Sequence, residues 1–378
     1  MPRPNIWTIF ASKQPTKEAN MATWQHTTID VNGVPVKTQA PVIISASRST
    51  DIPAFYADWF FHRLKEGYSV WTNPFNGVKS YVSYEKTRFI VFWSKNPRPL
   101  LKHLHELEER HIKCYVQYSL NDYEEEKLER GVPPLDERIA TFRDLVGSLG
   151  FGSVVWRFDP LVLTADIDEE KLLKKIEYIG DQLKGYTEKL VFSFADIAHY
   201  RQVKSNLEAN GIPYKEWTET QMDDFARRLS ELNWQKGWNY TLATCGEKID
   251  IDKYGIQHNR CIDGDLITRL AWDDPELMRF MKVKIEQMPQ ASLFDTGDTP
   301  ALPKGTVLLP GGRYFVSTHR KDSGQRELCG CMAAKDIGEY NTCPHLCEYC
   351  YANASKELAV RNWRQHQNNP FTDTITGK

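Results

Sequence analysis

Short runs of adjacent apolar residues alternate with longer amphipathic stretches between Val42 and Cys245. Apolar side chains at consecutive positions are typical of parallel strands buried on both faces, and apolar positions three and four apart are typical of helices covering such a sheet. The runs predict six strands, at residues 42–47, 89–94, 113–119, 153–159, 189–196 and 239–245. The intervening stretches predict helices at residues 54–66, 99–110, 135–149, 169–183 and 219–233. This alternation indicates an α/β fold, either a parallel barrel or a doubly wound sheet.

Polar and charged residues follow the predicted strands. In parallel α/β folds the carboxyl ends of the strands share one edge, where substrates and cofactors bind. We therefore expect one polar site at this edge. The candidate catalytic residues there are Arg48, Asp51, Lys95, Arg157 and Asp159, and the candidate cofactor contacts are Asn96 and Glu247.

The segments on either side of this alternation have weaker patterns. Residues 1–22 read as an extension, and Asn32-Gly33 between two short β-prone runs predicts a hairpin. Residues 68–72 predict an extra strand, residues 274–288 and 355–367 predict helices, the stretch from 288 to 312 predicts an irregular insert, and the final residues are expected to fray. The predicted organisation is an extension and hairpin at 1–41, a strand-and-helix domain at 42–266, and a cysteine-rich segment at 267–378.

Composition narrows the class of protein. The chain has 378 residues and a formal net charge of -2, so no global positive field draws it onto nucleic acid or an anionic membrane. Its apolar runs are far shorter than the ~20 residues that span a bilayer, and its first residues do not resemble a secretory signal. We therefore expect a cytoplasmic protein without a membrane partner. In that compartment, clustered cysteines indicate metal binding more often than disulfides.

The sequence Cys343-Pro-His-Leu-Cys347-Glu-Tyr-Cys350 brings three thiols into one short loop. Thiolates are soft ligands that select iron–sulfur clusters, zinc or copper(I), and three thiols on a 4Fe-4S cube leave one iron open. A structural zinc instead needs a fourth ligand, which His345 or a distant cysteine would supply. The spacing favours iron–sulfur over zinc, because short zinc motifs commonly use paired two-residue spacings.

This spacing, with Tyr349 before the last cysteine, resembles the signature of the radical SAM superfamily. More narrowly, the chain is similar to an uncharacterised bacterial family, a domain of unknown function with a C-terminal cysteine cluster. The motifs that carry this likeness are at residues 47–53, 92–97, 156–160 and 329–345. Two features depart from the superfamily pattern: the cysteine motif follows the last strand, and Gly-Gly-Glu is replaced by Gly311-Gly312-Arg313, with Cys245-Gly246-Glu247 the nearest match.

The resemblance implies a partial parallel barrel of six βα units, similar to a TIM barrel, whose mouth is closed by a C-terminal iron–sulfur segment. It implies that Cys343, Cys347 and Cys350 hold a 4Fe-4S cluster whose open iron binds S-adenosylmethionine, with release of a 5′-deoxyadenosyl radical. A reductase or a donor of the flavodoxin or ferredoxin type would supply the electron. Tyr349 would lie near the adenine or simply pack beside the cluster.

The other polar candidates have two interpretations each. Lys95 and Asn96 would donate hydrogen bonds to a ribose or to the cofactor carboxylate, as would Arg48 with Asp51, unless these residues only cap helices and close turns. Arg157 would grip a carboxylate or phosphate, or pair with Asp159.

Four further thiols, Cys245, Cys261, Cys329 and Cys331, match the ligand count of a second 4Fe-4S cluster or a zinc site. Their alternative is ordinary buried thiols, as we expect for Cys114 inside a strand.

Three functions fit these observations. The first is a radical S-adenosylmethionine enzyme acting on an unknown substrate. The second is an iron–sulfur or zinc protein with a structural or electron-transfer role. The third is a nucleic-acid repair or modification protein resembling a photoproduct lyase, for which basic residues at 319–321 and 356–364 and an exposed Trp363 would contact the nucleic acid.

Overall fold

A computed structural model describes residues 24–74, 76–288, 302–318, 320–325 and 328–378. The predicted extension at residues 1–22 and much of the predicted irregular insert lie outside these ranges. No helix in the described ranges is long and apolar enough to cross a membrane.

The strands in chain order are β1 (Gln25–Val31), β2 (Val34–Ala40), β3 (Ile43–Ala46), β4 (Tyr68–Thr72), β5 (Lys79–Ser83), β6 (Phe89–Ser94), β7 (Lys113–Ser119), β8 (Val154–Leu161), β9 (Leu163–Thr164), β10 (Lys189–Phe194), β11 (Tyr214–Lys215), β12 (Thr241–Thr244), β13 (Gln257–His258), β14 (Glu286–Gln287), β15 (Thr306–Leu309), β16 (Arg313–Val316) and β17 (Lys335–Asp336). The α-helices are α1 (Ile52–Phe55), α2 (Ala57–Glu66), α3 (Leu104–Glu109), α4 (Leu135–Leu149), α5 (Glu169–Leu183), α6 (Arg201–Ala209), α7 (Glu219–Gln235), α8 (Gly264–Ala271), α9 (Pro275–Met281) and α10 (Lys356–Asn368). Two 3₁₀ helices cover Arg98–His103 and Asp252–Tyr254.

The centre of the fold is an eight-stranded sheet in the order β13-β12-β10-β8-β7-β6-β3-β17, and every neighbouring pair in it is parallel. Its six central strands are the six predicted from the sequence. The α/β class is therefore confirmed. A barrel is not confirmed, because the edge strands β13 and β17 do not pair with each other and the sheet is open in the described part of the chain.

The two faces of the sheet are covered differently. Ile90 and Phe92 of β6 face a core that includes residues of α1 to α7, whereas Phe89 and Val91 face a core that includes residues of α8 and α9. The helices that connect the strands thus share one face, which excludes the doubly wound arrangement. All four side chains are fully buried, as two-sided burial requires.

The predicted hairpin at Asn32-Gly33 is confirmed, since Val31 pairs with Val34 and both turn residues have positive φ. It belongs to a separate four-stranded sheet in the order β1-β2-β5-β4, so the predicted extra strand, β4, lies outside the large sheet.

Two predictions about the C-terminal part are wrong or incomplete, and one helix was missed. The helix predicted at 274–288 ends at Met281, because Lys282 takes a left-handed conformation, and β14 follows. Helix α8 was not predicted. The last residues do not fray: Thr374, Ile375 and Thr376 are buried, and the backbone N–H of Val70 donates to the Asp373 carbonyl at 2.8 Å.

Candidate functional site

The loop that carries Cys343, Cys347 and Cys350 packs against the segment that follows β7. The backbone N–H of Gly131 donates to the His345 carbonyl at 3.0 Å, and the N–H of Glu348 donates to the Leu128 carbonyl at 2.9 Å. A Cβ on Gly131 would stand 2.7 Å from the Pro344 carbonyl oxygen, so only glycine permits this approach. The C-terminal segment therefore returns to the carboxyl ends of the strands.

Asp51 anchors this loop to the end of the sheet. Its carboxylate caps α1 through the N–H of Ala54 and accepts hydrogen bonds from Ser94 Oγ and the Lys95 N–H, each at 2.7 Å. It also faces His345 Nε2 at 2.8 Å. Although burial opposes ionisation, these donors lower the pKa of Asp51 below its ordinary value. Asp51 is thus an anchor of the loop, and its catalytic role stays a prediction.

His345 lies between two oxygen atoms of the surrounding structure. Its Nδ1 lies 3.0 Å from the Gly131 carbonyl, which only accepts, and its Nε2 faces the Asp51 carboxylate at 2.8 Å. A zinc ion would have to compete with these contacts for its nearest candidate fourth ligand.

The three thiols of the loop are close enough to affect one another. Burial raises the pKa of each, and the charges of neighbouring acidic groups, including Cys350, raise the pKa of Cys343 and Cys347 further. A bound cation would instead lower the pKa of all three thiols, because it stabilises their thiolates. In the described ranges no three Cys, His, Asp or Glu side chains already surround a point that would hold a single metal ion. A cubane cluster differs from an ion in that each thiolate binds a different iron, so its ligands stand farther apart.

A half-buried cation lies beside the cysteine loop. Lys95 Nζ donates to Glu129 Oε1 at 2.7 Å and to Tyr349 Oη at 3.0 Å. Burial disfavours the ammonium, but Glu129 and Cys347 raise the pKa of Lys95 above its ordinary value. The contact with Glu129 therefore favours the charged form of Lys95.

Glu129 connects this cation to the surrounding structure. It accepts hydrogen bonds from Tyr349 Oη and from Asn121 Nδ2, and Arg138 Nη1 lies 3.7 Å from its second oxygen. Burial opposes its charge, yet Lys95 and Arg138 lower the pKa of Glu129 to about 2. Its Oε2 is buried without a hydrogen-bond partner among the described residues.

Two arginines stack on Trp93 at the end of β6. The guanidinium carbons of Arg48 and Arg157 lie 5.5 and 5.4 Å from the centre of its ring. Arg157 forms an ion pair with Asp159, whose other oxygen accepts from Ser193 Oγ. The predicted pairing of Arg157 with Asp159 is therefore confirmed, while the catalytic roles of these residues and of Arg48 stay predictions.

The remaining thiols meet near these arginines. Cys245 Sγ and Cys261 Sγ are 3.5 Å apart, and Cys331 Sγ accepts the backbone N–H of Cys261 at 3.2 Å. Cys114, by contrast, is a buried core residue, as expected.

A family model described as Domain of unknown function (DUF1848) matches residues 43–352. The chain belongs to this family. The DUF1848 match runs from β3 through the cysteine loop, so it includes both groups of thiols. No curated protein and no solved structure matches the chain. Membership of a domain-of-unknown-function family is thus confirmed, and the relation to the radical SAM superfamily stays a prediction.

The two predicted cofactor contacts at strand ends support the backbone of the DUF1848 domain. The N–H of Asn96 donates to Ser94 Oγ at 2.9 Å, and Glu247 Oε1 accepts from the N–H of Phe194 at 2.9 Å. Glu247 therefore ties the loop after β12 to the end of β10. Their roles toward a cofactor remain untested, as does that of Tyr349.

Sequence reasoning missed several residues that build this part of the DUF1848 domain. Asp336 in β17 accepts hydrogen bonds from the hydroxyls of Ser45 and Ser47 and from the Arg48 N–H, each at 2.9 Å. A signal existed for Asp336, which lies inside one of the recognised motifs. Glu129 had none, because it follows a run of surface-like acidic residues.

Proposed function

We propose that this chain is a radical S-adenosylmethionine enzyme in which Cys343, Cys347 and Cys350 hold a 4Fe-4S cluster. The observation that carries the proposal is that the loop with three thiols packs against the segment following β7, at the carboxyl ends of parallel strands, with the ammonium of Lys95 hydrogen-bonded to Tyr349 of that loop. The resemblance of the cysteine spacing to the radical SAM signature supports it independently.

The donor set suits such a group. Three soft thiolates fit a cubane and leave one iron without a protein ligand, and His345 is already occupied by Asp51 and Gly131. When bound, the cluster and S-adenosylmethionine supply one-electron cleavage of a carbon–sulfur bond, with 5′-deoxyadenosine as the measurable product. A donor of the flavodoxin or ferredoxin type would provide the electron.

The residues of the chain would hold and shield this chemistry. Lys95 offsets negative charge next to Cys347 and is itself kept charged by Glu129. Asp51 fixes the backbone of the cysteine loop through His345. Arg48, whose pKa is held above its ordinary value by Cys331 and Asp336 although burial opposes it, offers a cation for a carboxylate of the cofactor or substrate. Asn96 would contribute a further donor at the same edge.

Tyr349 retains both of its interpretations. It is buried, with its ring edge against Tyr123 at a centroid distance of 6.0 Å and its hydroxyl bonded to Glu129. This packing is favourable by itself, and Tyr349 also directly precedes Cys350 in the chain, the position that the resemblance would put near the adenine.

A nucleic-acid substrate loses part of its support. Trp363 is not an exposed stacking platform, because its ring contacts Phe55, Tyr56 and His366 at centroid distances of 5.5, 5.2 and 5.4 Å. His319, in the predicted basic patch, lies outside the described residues. The substrate is therefore left open as a small molecule or a nucleic acid.

The test is an anaerobic assay. The protein is purified without oxygen, reconstituted with iron and sulfide, reduced with dithionite in the presence of S-adenosylmethionine, and assayed for 5′-deoxyadenosine by chromatography. We expect product from the unaltered chain and from Cys114→Ala, a matched change of a buried thiol in the core, and none from Cys347→Ala. Bound iron without product under several reductants would favour the structural or electron-transfer role, and product from Cys347→Ala would refute the assignment of the ligands.

A further inference from the structure

A second group of thiols lies apart from the cysteine loop. Cys245 follows β12, Cys261 precedes α8, and Cys329 and Cys331 precede β17. These three segments converge: Cys245 Sγ and Cys261 Sγ are 3.5 Å apart, Cys331 Sγ accepts the backbone N–H of Cys261, and Cys329 lies two positions before Cys331. A tetrahedral ion with metal–sulfur bonds of about 2.3 Å sets its sulfurs about 3.8 Å apart, so this pair needs little movement to share a metal.

N–H donors are aimed at the sulfurs of this group. Cys331 Sγ accepts the backbone N–H groups of Cys261 and Ile262 at 3.2 and 3.4 Å. Cys261 Sγ accepts Arg157 Nη1 at 3.3 Å and Asn259 Nδ2 at 3.2 Å. Donors that converge on a sulfur stabilise a thiolate and are a usual feature of the surroundings of metal-bound cysteine. Ordinary apolar burial of a thiol, as for Cys114, requires none of them.

Positively charged arginine side chains near these thiols also favour a metal-bound thiolate site. Arg157 contacts Cys261 directly, and Arg48 lies over the same Trp93 ring as Arg157. A divalent ion bound by four thiolates carries a net charge of -2, which two guanidinium groups would partly compensate. Asn259 is buried, and its Oδ1 has no hydrogen-bond partner among the described residues.

We infer that Cys245, Cys261, Cys329 and Cys331 are the ligands of one thiolate metal centre, holding zinc or iron, that fastens the segment before β17 to the segment before α8. Cys245 and Cys261 already contact each other through sulfur, Cys331 Sγ accepts the N–H of Cys261, and metal binding would draw the four thiols onto one shared centre. This inference does not depend on the proposed radical chemistry, because it concerns ligands and elements outside the Cys343–Cys350 loop.

The test removes the thiols of the Cys343–Cys350 loop and measures the metal that the protein still binds. In a chain carrying Cys343→Ala, Cys347→Ala and Cys350→Ala, zinc, iron and acid-labile sulfide are quantified after anaerobic purification. We expect either about one zinc or iron per chain, or iron with stoichiometric sulfide, which identifies the metal. Adding Cys261→Ser and Cys331→Ser should remove it, whereas adding Cys114→Ser should not. Absence of metal in the triple variant, or retention after Cys261→Ser and Cys331→Ser, would overturn the inference.

A second measurement uses the unaltered chain and so does not depend on whether the variants fold. The native protein is treated with an alkylating reagent with and without a strong chelator, and each cysteine is followed by mass spectrometry. We expect Cys245, Cys261, Cys329 and Cys331 to be protected together and to become reactive together when the metal is removed, while Cys114 stays unreactive. Independent rates for the four thiols, or a disulfide between Cys245 and Cys261 in place of metal, would contradict a shared centre.

Discussion

Replacing Glu129 by glutamine should destabilise the protein strongly and change how its stability depends on pH. The carboxylate is buried, faces Lys95 at 2.7 Å and Arg138 at 3.7 Å, and has a pKa of about 2 in place of an ordinary 4.5. That difference corresponds to about 3 kcal/mol of stability, because each unit of pKa difference is worth about 1.4 kcal/mol. Removing one partner of a buried ion pair costs about 3–5 kcal/mol by a separate route, so the two estimates agree.

The pH dependence has a definite sign. A carboxyl whose pKa is lowered on folding contributes its full stability above the unfolded pKa, near 4.5, and loses it as the pH falls toward about 2. The difference in unfolding free energy between the unaltered protein and Glu129→Gln should therefore be about 3 kcal/mol at pH 7 and should shrink steadily below pH 4.5.

The assay is urea denaturation followed by tryptophan fluorescence at a series of pH values. Glu124→Gln is the matched control, since Glu124 also faces Arg138, at 3.4 Å, but its side chain is 47% exposed. An exposed pair is worth about 0–1 kcal/mol, so this control should remain close to the unaltered protein. If Glu129→Gln and Glu124→Gln behave alike at pH 7, or if the difference does not depend on pH, the reasoning about the buried charge is refuted.

Three further predictions concern the packing around the cysteine loop. Gly131→Ala should lower both the stability and the iron content, because its Cβ would meet the backbone of His345 at 2.8 Å. The control Gly147→Ala has no atom near its Cβ and should stabilise α4 by about 0.5–1 kcal/mol. Thermal melts and iron assays check both variants. Asp336→Asn should lower the free energy of unfolding by about 1–3 kcal/mol and speed hydrogen exchange in β17, because one amide oxygen cannot replace two carboxylate oxygens that accept four hydrogen bonds. Unchanged exchange rates in β17 would argue against this role of Asp336. If the ring of Trp363 is part of the core, Trp363→Ala should lower the free energy of unfolding in urea by about 3–5 kcal/mol. A stable variant that binds single-stranded DNA more weakly would instead support base stacking by Trp363.

The parts of the fold that the sequence predicted are those specified locally. Strands such as β6 and β7 contain consecutive apolar residues, and α4 and α5 were predicted with their observed bounds, because their apolar spacing and first-turn acidic residues act within each element. Strands β13 and β17 have only two residues each and carry no pattern of their own. They are strands because an edge of the sheet was available to them, and that information is tertiary.

In the candidate site, too, some residues could be predicted from local sequence and others could not. Cysteine spacing and the polar ends of strands indicated residues that the fold does bring close together, such as Asp51, Lys95 and Tyr349, because thiols and charges are conspicuous in any sequence. Glu129, Asn121 and Asp336 were missed because their partners are remote: Asn121 and Tyr349 are separated by 228 positions in the chain, and nothing local marks either end of that hydrogen bond. The form of the sheet is not specified by the alternation either, since six strand-and-helix units are equally compatible with a closed barrel, a partial barrel and an open sheet.

The pairing of β17 with β3 also determines when the protein can be completed during synthesis. Ser45 and Asp336 lie 291 positions apart. At a translation rate of about 5–20 residues per second, β3 leaves the ribosome about 15 to 60 s before the strand that covers its outer edge. During that interval a buried-type strand exposes unpaired backbone groups, which makes the nascent chain vulnerable to aggregation. Cys329 and Cys331 are translated just before β17, and Cys343, Cys347 and Cys350 follow it, so any metal that these thiols bind would reach the chain only after the other seven strands of the large sheet have been synthesised.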